Sequence, residues 1–207
     1  MRDLLLRTCR EAVKGSVAIG AADAASGLKL YRREKPAIVI LDLALPDRDG
    51  LDLVDEMIAI SPKGRIIGIS GYMDEFTVYR VLGSRLHGFV DKTDHTSGQL
   101  GAAIRSVLTG QRYFSPTAIN AWMNLRNDPT AFDKILSERE QNMLQLFGQG
   151  LSNEEIATMV ELSELTVRNY RCRIMEKLGL RTSAELISYA FDKGFVRVPQ
   201  RRRSNPA

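Results

Sequence analysis

The chain has 207 residues, 44% hydrophobic and 26% charged, with a net charge of +4: an ordinary soluble globular balance, with room for one large domain or two small ones. No apolar run approaches the ~20 residues a membrane helix needs, and the charged start "MRDLLLRTCREA" lacks the apolar core and cleavage site of a signal peptide. Two cysteines (Cys9, Cys172) and two histidines (His87, His95) without metal spacing disfavour a disulfide framework or a histidine metal site, and suit a reducing cytoplasm.

After a first helix that contains Asp3, short apolar runs alternate with amphipathic stretches. "SVAIGAA" (16–22), "AIVILDL" (37–43), "RIIGIS" (65–70) and "GFVDK" (88–92) read as strands. Helical periodicity follows each of them, at about 24–34, 50–60, 73–84 and 97–109, with Asp23 as a cap for the second helix. Continuous apolar strands alternating with helices imply a parallel sheet covered on both faces.

The strand signal ends after "GQRYFSP", and residues 113–135, with Pro116, Pro129 and "NLRNDPT", read as a linker holding a short helix. An all-helical segment follows. Ser137 with Glu140, and Ser152 with Glu155, have capping-box spacing, and Gly148, Gly150 and Gly179 supply stops. Charge is uneven: residues 113–164 carry −5 and residues 165–207 carry +7, an asymmetry that points to nucleic acid, with solvated surface as the alternative.

Residues 152–160 and 164–178 give a short and a longer helix around a turn. On the longer one Val167, Tyr170, Ile174 and Leu178 share the inner side. Leu165, Arg168, Asn169, Cys172 and Arg173 share the outer side, with Arg171 at the flank and Glu176 the single carboxylate between 165 and 178. Arginine can fork onto guanine and asparagine onto adenine, so this face suits a major groove. The stretch from "LSEREQNMLQLFGQGLSNEEIA" through "LSELTVRNY" to "KLGL" resembles the helix-turn-helix domain of the LuxR/FixJ family. The resemblance implies a DNA-binding domain over 136–196. Arg168, Asn169 and Cys172 would be base-facing, Arg171 and Arg173 would contact the backbone, and Leu165 and Thr166 would lie on the same surface.

Three polar residues end three successive strands: Asp42, Ser70 and Lys92. In an open parallel sheet such positions converge where ligands bind, and a carboxylate, a hydroxyl and an ammonium suit phosphoryl chemistry. "ILDLALPDRDG", "IIGISGYMDEF" and "HGFVDKT" resemble a two-component receiver domain of the same family, expected over residues 1–112. The resemblance implies a flavodoxin-like fold with Asp42 as phosphoacceptor, Ser70 and Lys92 as the phosphate switch with Phe89 as its aromatic position, and a sensor histidine kinase as donor. Receivers of this type begin with a strand ending in an acidic pair that joins the phosphoacceptor on Mg²⁺. The receiver is expected to lack that strand, with Asp42 alone in an incomplete site and Mg²⁺ weak or lost. Neither Asp3 nor Asp23 substitutes for the pair.

The expectation is a non-enzymatic, cytoplasmic transcription regulator that binds duplex DNA as a homodimer, gated by phosphate at Asp42, with apolar Leu186, Ile187, Ala190 and Phe191 of a last helix (182–194) available for pairing and core packing as the alternative for at least half of them. The alternative is a DNA-binding regulator with a phosphate-independent pseudo-receiver. An enzyme ranks last, because "GISGY" lacks nucleophile-elbow spacing and no histidine is placed as a base. The basic tail, 197–207, is expected to be disordered.

Overall fold

The computed structural model describes residues 2–93 and 96–197. Two compact units emerge: Met1–Met73 with Thr77–Leu125, and Arg126–Ala207 with Asp74–Phe76. The tail expected to be disordered lies outside the described residues, apart from Arg197.

The first unit is a parallel sheet of β1 (Ile38–Asp42), β2 (Arg65–Ser70), β3 (Gly88–Asp91) and β4 (Tyr113–Phe114), in that spatial order. Its helices are α1 (Arg2–Ala12), α2 (Ala24–Glu34), α3 (Val54–Ile60), α4 (Glu75–Gly83) and α5 (Thr96–Leu108). Alternation along the strands divides the apolar side chains between two faces. Ile67, Ile69 and Val90 pack with Leu100, Ile104 and Val107 of α5 and Leu5 and Cys9 of α1. Leu41, Ile66 and Phe89 pack with Leu28 and Tyr31 of α2, Val54 and Met57 of α3 and Val81 of α4. This is a flavodoxin-like sheet covered on both sides.

Two sequence expectations are corrected. Residues 16–21 are not in a strand: Val17 is 89% and Ile19 48% exposed. An apolar run becomes a strand only beside a ladder partner, and β1 is the sheet edge, paired with β2 alone. In the stretch expected as a linker (113–135), Tyr113 and Phe114 pair with Gly88 and Phe89, and a 12-residue helix, α6 (Pro116–Asn127), follows where a short one was expected. Pro116 is tolerated because it occupies the first helical position, where no N–H is needed.

The second unit holds α7 (Phe132–Ile135), α8 (Glu138–Gly148), α9 (Asn153–Met159), α10 (Glu164–Leu178) and α11 (Ser183–Asp192). Both expected capping boxes form, and Thr182 with Glu185 makes a third on α11. Each N-cap contributes about 1 kcal/mol. α8 packs on α10 and α11, and α9 on α10. Phe147, Ile156, Val167, Ile174, Leu186 and Ala190 are all 0% exposed, so the inner face of α10 meets a common core.

Candidate functional site

β1 delivers Asp42 to the carboxyl edge of the sheet because Ile38 to Leu41 are held by pairing with β2 and by the apolar layers. Its Oδ2 accepts from Lys92 Nζ at 2.6 Å, and its Oδ1 accepts from the Ala44 N–H at 3.0 Å. The pair is partly screened from water, with the Lys92 side chain 16% and Asp42 31% exposed. Ser70 sits one residue beyond Ile69, the register partner of Asp42, and its carbonyl accepts from the Lys92 N–H at 2.8 Å. The Ser70 side chain is buried, and its Oγ accepts from the Tyr72 N–H at 3.0 Å. Phe89 is also buried, turned into the apolar layer beside Leu86 and Val81. The three strand-end residues are therefore neighbours, with an ion pair joining two of them.

Gly50 reads in the sequence as loop punctuation, and its close approach to Asp42 was missed. The loop after Asp42 folds back on itself, with the Gly50 N–H donating to the Leu43 carbonyl at 3.0 Å. A Cβ at Gly50 would lie 2.3 Å from the Asp42 carbonyl oxygen and 2.8 Å from Leu43 Cα, so only glycine permits this approach. The signal was present as "DG" at 49–50. Asp49 anchors the same loop: its Oδ1 accepts from the Leu51 N–H, and its Oδ2 from Arg80 at 2.6 Å.

Receiver domains generally bind Mg²⁺ at the phosphorylation site. The donors among the described residues do not make such a set, since Mg²⁺ requires near-octahedral oxygen ligands. Both Asp42 oxygens are engaged. Asp47 accepts from the Ala24 and Ala25 N–H groups, Asp23 caps α2 through Ser26, Asp91 is taken by Thr93, and Asp3 lies exposed in the first turn of α1. Among the described residues, no three His, Cys, Asp or Glu side chains gather where a metal could be held.

In the second unit, Ser163 caps α10 by accepting from the Thr166 N–H at 3.1 Å, and the αL glycine Gly179 ends it. Leu165, Arg168, Asn169, Cys172 and Arg173 are all exposed, Leu165 at 66%. Thr166 is half-buried, its hydroxyl paired with Ser163. Arg171 departs from expectation. Instead of standing free for a backbone contact, its Nε donates to Asn153 Oδ1 at 2.9 Å and its Nη2 to the Leu151 carbonyl at 3.2 Å. Its guanidinium lies 4.2 Å from the Phe147 ring centroid, and burial pulls its pKa below the usual value. Arg171 therefore ties α10 to the start of α9 and to α8.

Glu140 is a second anchor. Its Oε2 accepts from the Ser137 N–H and hydroxyl and, at 2.7 Å, from Lys177 on α10. Burial favours its neutral form, but the Lys177 ammonium and the Ser137 donors outweigh it and hold the pKa below the usual glutamate value. On α11, Leu186 and Ala190 belong to the core, while Ile187 is half-buried and Phe191 40% exposed.

The family model for the response regulator receiver domain matches residues 1–105, and that for bacterial regulatory proteins of the luxR family matches residues 134–190. The virulence-factor transcription regulator BvgA of Bordetella pertussis is 33% identical over 181 residues, 86% of each chain. The oxygen regulatory protein NreC of Staphylococcus aureus is 33% identical over 184 residues, 83% of this chain and 84% of its own. The fold is similar to that of Salmonella RcsB bound to promoter P1flhDC, with a TM-score of 0.60 at 22% identity over 92% of both chains. With a family model on each unit and relatives this similar over most of their length, the chain belongs to the LuxR-type response regulators, a receiver domain followed by a luxR-family helix-turn-helix domain.

Proposed function

We propose that this protein regulates transcription in the cytoplasm by reading duplex DNA through the outer face of α10, under control of a phosphoryl group received on Asp42. The receiver would span residues 1–112 and the DNA-binding domain 136–196. The exposed set of Arg168, Asn169, Cys172 and Arg173 on a doubly capped helix supports the DNA reading. These side chains supply forked and amide donors for base edges and positive charge for phosphates. Similar proteins such as BvgA are transcription regulators, so no catalytic role is assigned. Among the described residues no helix is long and apolar enough to cross a membrane.

The single observation that carries the phosphoryl reading is the 2.6 Å contact between Lys92 Nζ and Asp42 Oδ2. A sensor histidine kinase would supply the phosphoryl group. An Asp42 oxygen attacks phosphorus, the bond to the kinase imidazole breaks, and the leaving nitrogen takes a proton from solvent. The Lys92 ammonium neutralises charge on the transferred group, and the Ser70 hydroxyl can turn its proton toward a phosphoryl oxygen. Homodimers would then form through the exposed part of α11, Ile187 and Phe191.

A second reading has its own support. Asp42 is the lone carboxylate of the strand-end trio and both its oxygens are satisfied by the chain itself, which suits a receiver that serves as an interaction module without phosphate. Incubation with a small acyl phosphate, followed by peptide mass analysis, separates the two. Label on Asp42, lost in Asp42→Asn and slowed about 100-fold in Lys92→Gln, supports phosphate control. An unlabelled wild-type chain assigns the function to the second reading.

A further inference from the structure

The amino end of the sheet, opposite Asp42, gathers positive charge from three successive strands. Arg65 is the first residue of β2, Arg85 and His87 immediately precede β3, and Arg112 immediately precedes β4. Hydrogen bonds lock these starts together. The His87 N–H donates to the Ile66 carbonyl at 2.8 Å, the Ile66 N–H donates to His87 Nδ1 at 3.2 Å, and the Tyr113 N–H donates to the His87 carbonyl at 3.2 Å. Arg112 Nη2 donates to the Leu86 carbonyl at 2.9 Å while its guanidinium lies 5.1 Å from the Phe114 ring centroid. The Arg112 fork is thus held in place before any ligand arrives.

Two features characterise this cluster. Elsewhere in the same unit, Arg32, Arg48 and Arg80 each meet a carboxylate within 3.1 Å. Among the described residues Arg65 and Arg112 meet none within ion-pair distance, and Arg85 has only the exposed Asp55 at 3.5 Å. The second feature is the imidazole. Because Nδ1 accepts from a backbone N–H, the neutral ring carries its proton on Nε2 and presents another donor. Burial first, then Arg65, Arg112 and Arg85, holds its pKa below the usual histidine value. Guanidinium groups gathered around one imidazole, two of them without a carboxylate partner among the described residues, match the chemistry of a phosphate group, which guanidinium forks bind in bidentate fashion.

We propose that Arg65, Arg85, His87 and Arg112 form a binding site for a phosphate-bearing anion at the amino end of the receiver sheet. The site is independent of Asp42 and of its phosphorylation. The phosphate belongs either to a small molecule or to a nucleic-acid backbone.

Pyrophosphate is the probe, titrated into the full chain at constant ionic strength while the histidine ring resonances are followed by NMR. The chain has only His87 and His95, so a His87→Gln variant assigns the signals. The expected result is a saturable shift of the His87 ring and an upward move of its titration midpoint, because a bound anion offsets the arginines. Arg112→Gln and Arg65→Gln should each weaken the effect about tenfold or more. Arg65→Gln is the variant that keeps the fold, since no side-chain hydrogen bond or ion pair holds Arg65 among the described residues. A second arm uses a short duplex with a chain carrying Arg168→Ala and Arg173→Ala. A His87 shift with that duplex assigns the phosphate to nucleic acid, and a shift with pyrophosphate alone assigns it to a small molecule. The proposal is overturned if neither probe gives a saturable shift, or if the shift survives undiminished in both arginine variants.

Discussion

Arg171 and Arg168 stand one helical turn apart on α10, yet Arg171 is bonded into the helical unit while Arg168 is exposed. Removing the Arg171 side chain takes away two hydrogen bonds from a charged donor, each of the class that contributes roughly 1.5–3 kcal/mol. It also removes a cation–π contact at 4.2 Å, a class that contributes about 0.5–2 kcal/mol. The two acceptors, the Leu151 carbonyl and Asn153 Oδ1, belong to half-buried residues, and water can reach them after truncation. The net loss for Arg171→Ala is therefore about 2–3 kcal/mol, a large fraction of the stability of a small domain. Amide hydrogen exchange in the full chain, read by mass spectrometry on peptides from 138 to 192, should accelerate about 30–150-fold at core sites of α8 and α10. Arg171→Lys should fall between, since an ammonium keeps the charge and loses the fork. Arg168→Ala should leave exchange unchanged. If Arg171→Ala left exchange unchanged and altered DNA affinity alone, the anchoring role drawn from its contacts would be wrong.

Three further outcomes follow from the geometry. Glu140 has a lowered folded pKa, so its contribution is complete above the usual value of 4.5 and is lost as pH falls through the folded value. Acid unfolding of the helical unit should therefore steepen below about pH 4.5 and flatten in Glu140→Gln, measured by exchange at several pH values. Gly50→Ala should drive a Cβ against the Asp42 carbonyl and cost the receiver ~1–3 kcal/mol or more. The single tryptophan, Trp122, lies on α6 in the receiver unit, so its fluorescence reports that melting; an unchanged midpoint would contradict the close approach. Ser152→Ala should lower the helical unit's stability by about 1 kcal/mol through loss of its capping box, and an unaltered exchange rate across α9 would argue against that box.

How far the sequence revealed this molecule depends on whether the signal was local. β1, β2 and β3 were readable because each is a continuous apolar run ended by a polar residue, α8 and α9 because caps mark their starts, and α10 because its apolar residues keep a helical period. The segment 16–21 has the same composition as a strand, but pairing is a property of its neighbours, and β1 offers it no bond. β4 is two residues long and takes its identity from β3, so no periodicity could announce it. Thr182 with Glu185 has the same spacing as the two expected capping boxes and was missed although equally legible. The strand-end trio could be placed because topology brings the ends of parallel strands together. The inward turn of Arg171 could not, since its partners lie at the entry to α9, eighteen and twenty residues earlier in the chain. The clustering of Arg65, Arg85 and Arg112 at the sheet's other end is likewise visible only once strand register is known.

The most direct test of the central claim is a titration of duplex DNA with the full chain across salt concentrations, repeated for Arg168→Ala and Arg173→Ala. Wild-type affinity should fall steeply as salt rises, because arginines displace condensed counterions. Arg168→Ala should lose ~1–3 kcal/mol on the preferred sequence and relax preference at one base position, while Arg173→Ala should weaken all sequences alike and make the salt slope shallower. Binding that is absent at low salt, or that neither substitution changes, would contradict the assignment of DNA reading to the outer face of α10.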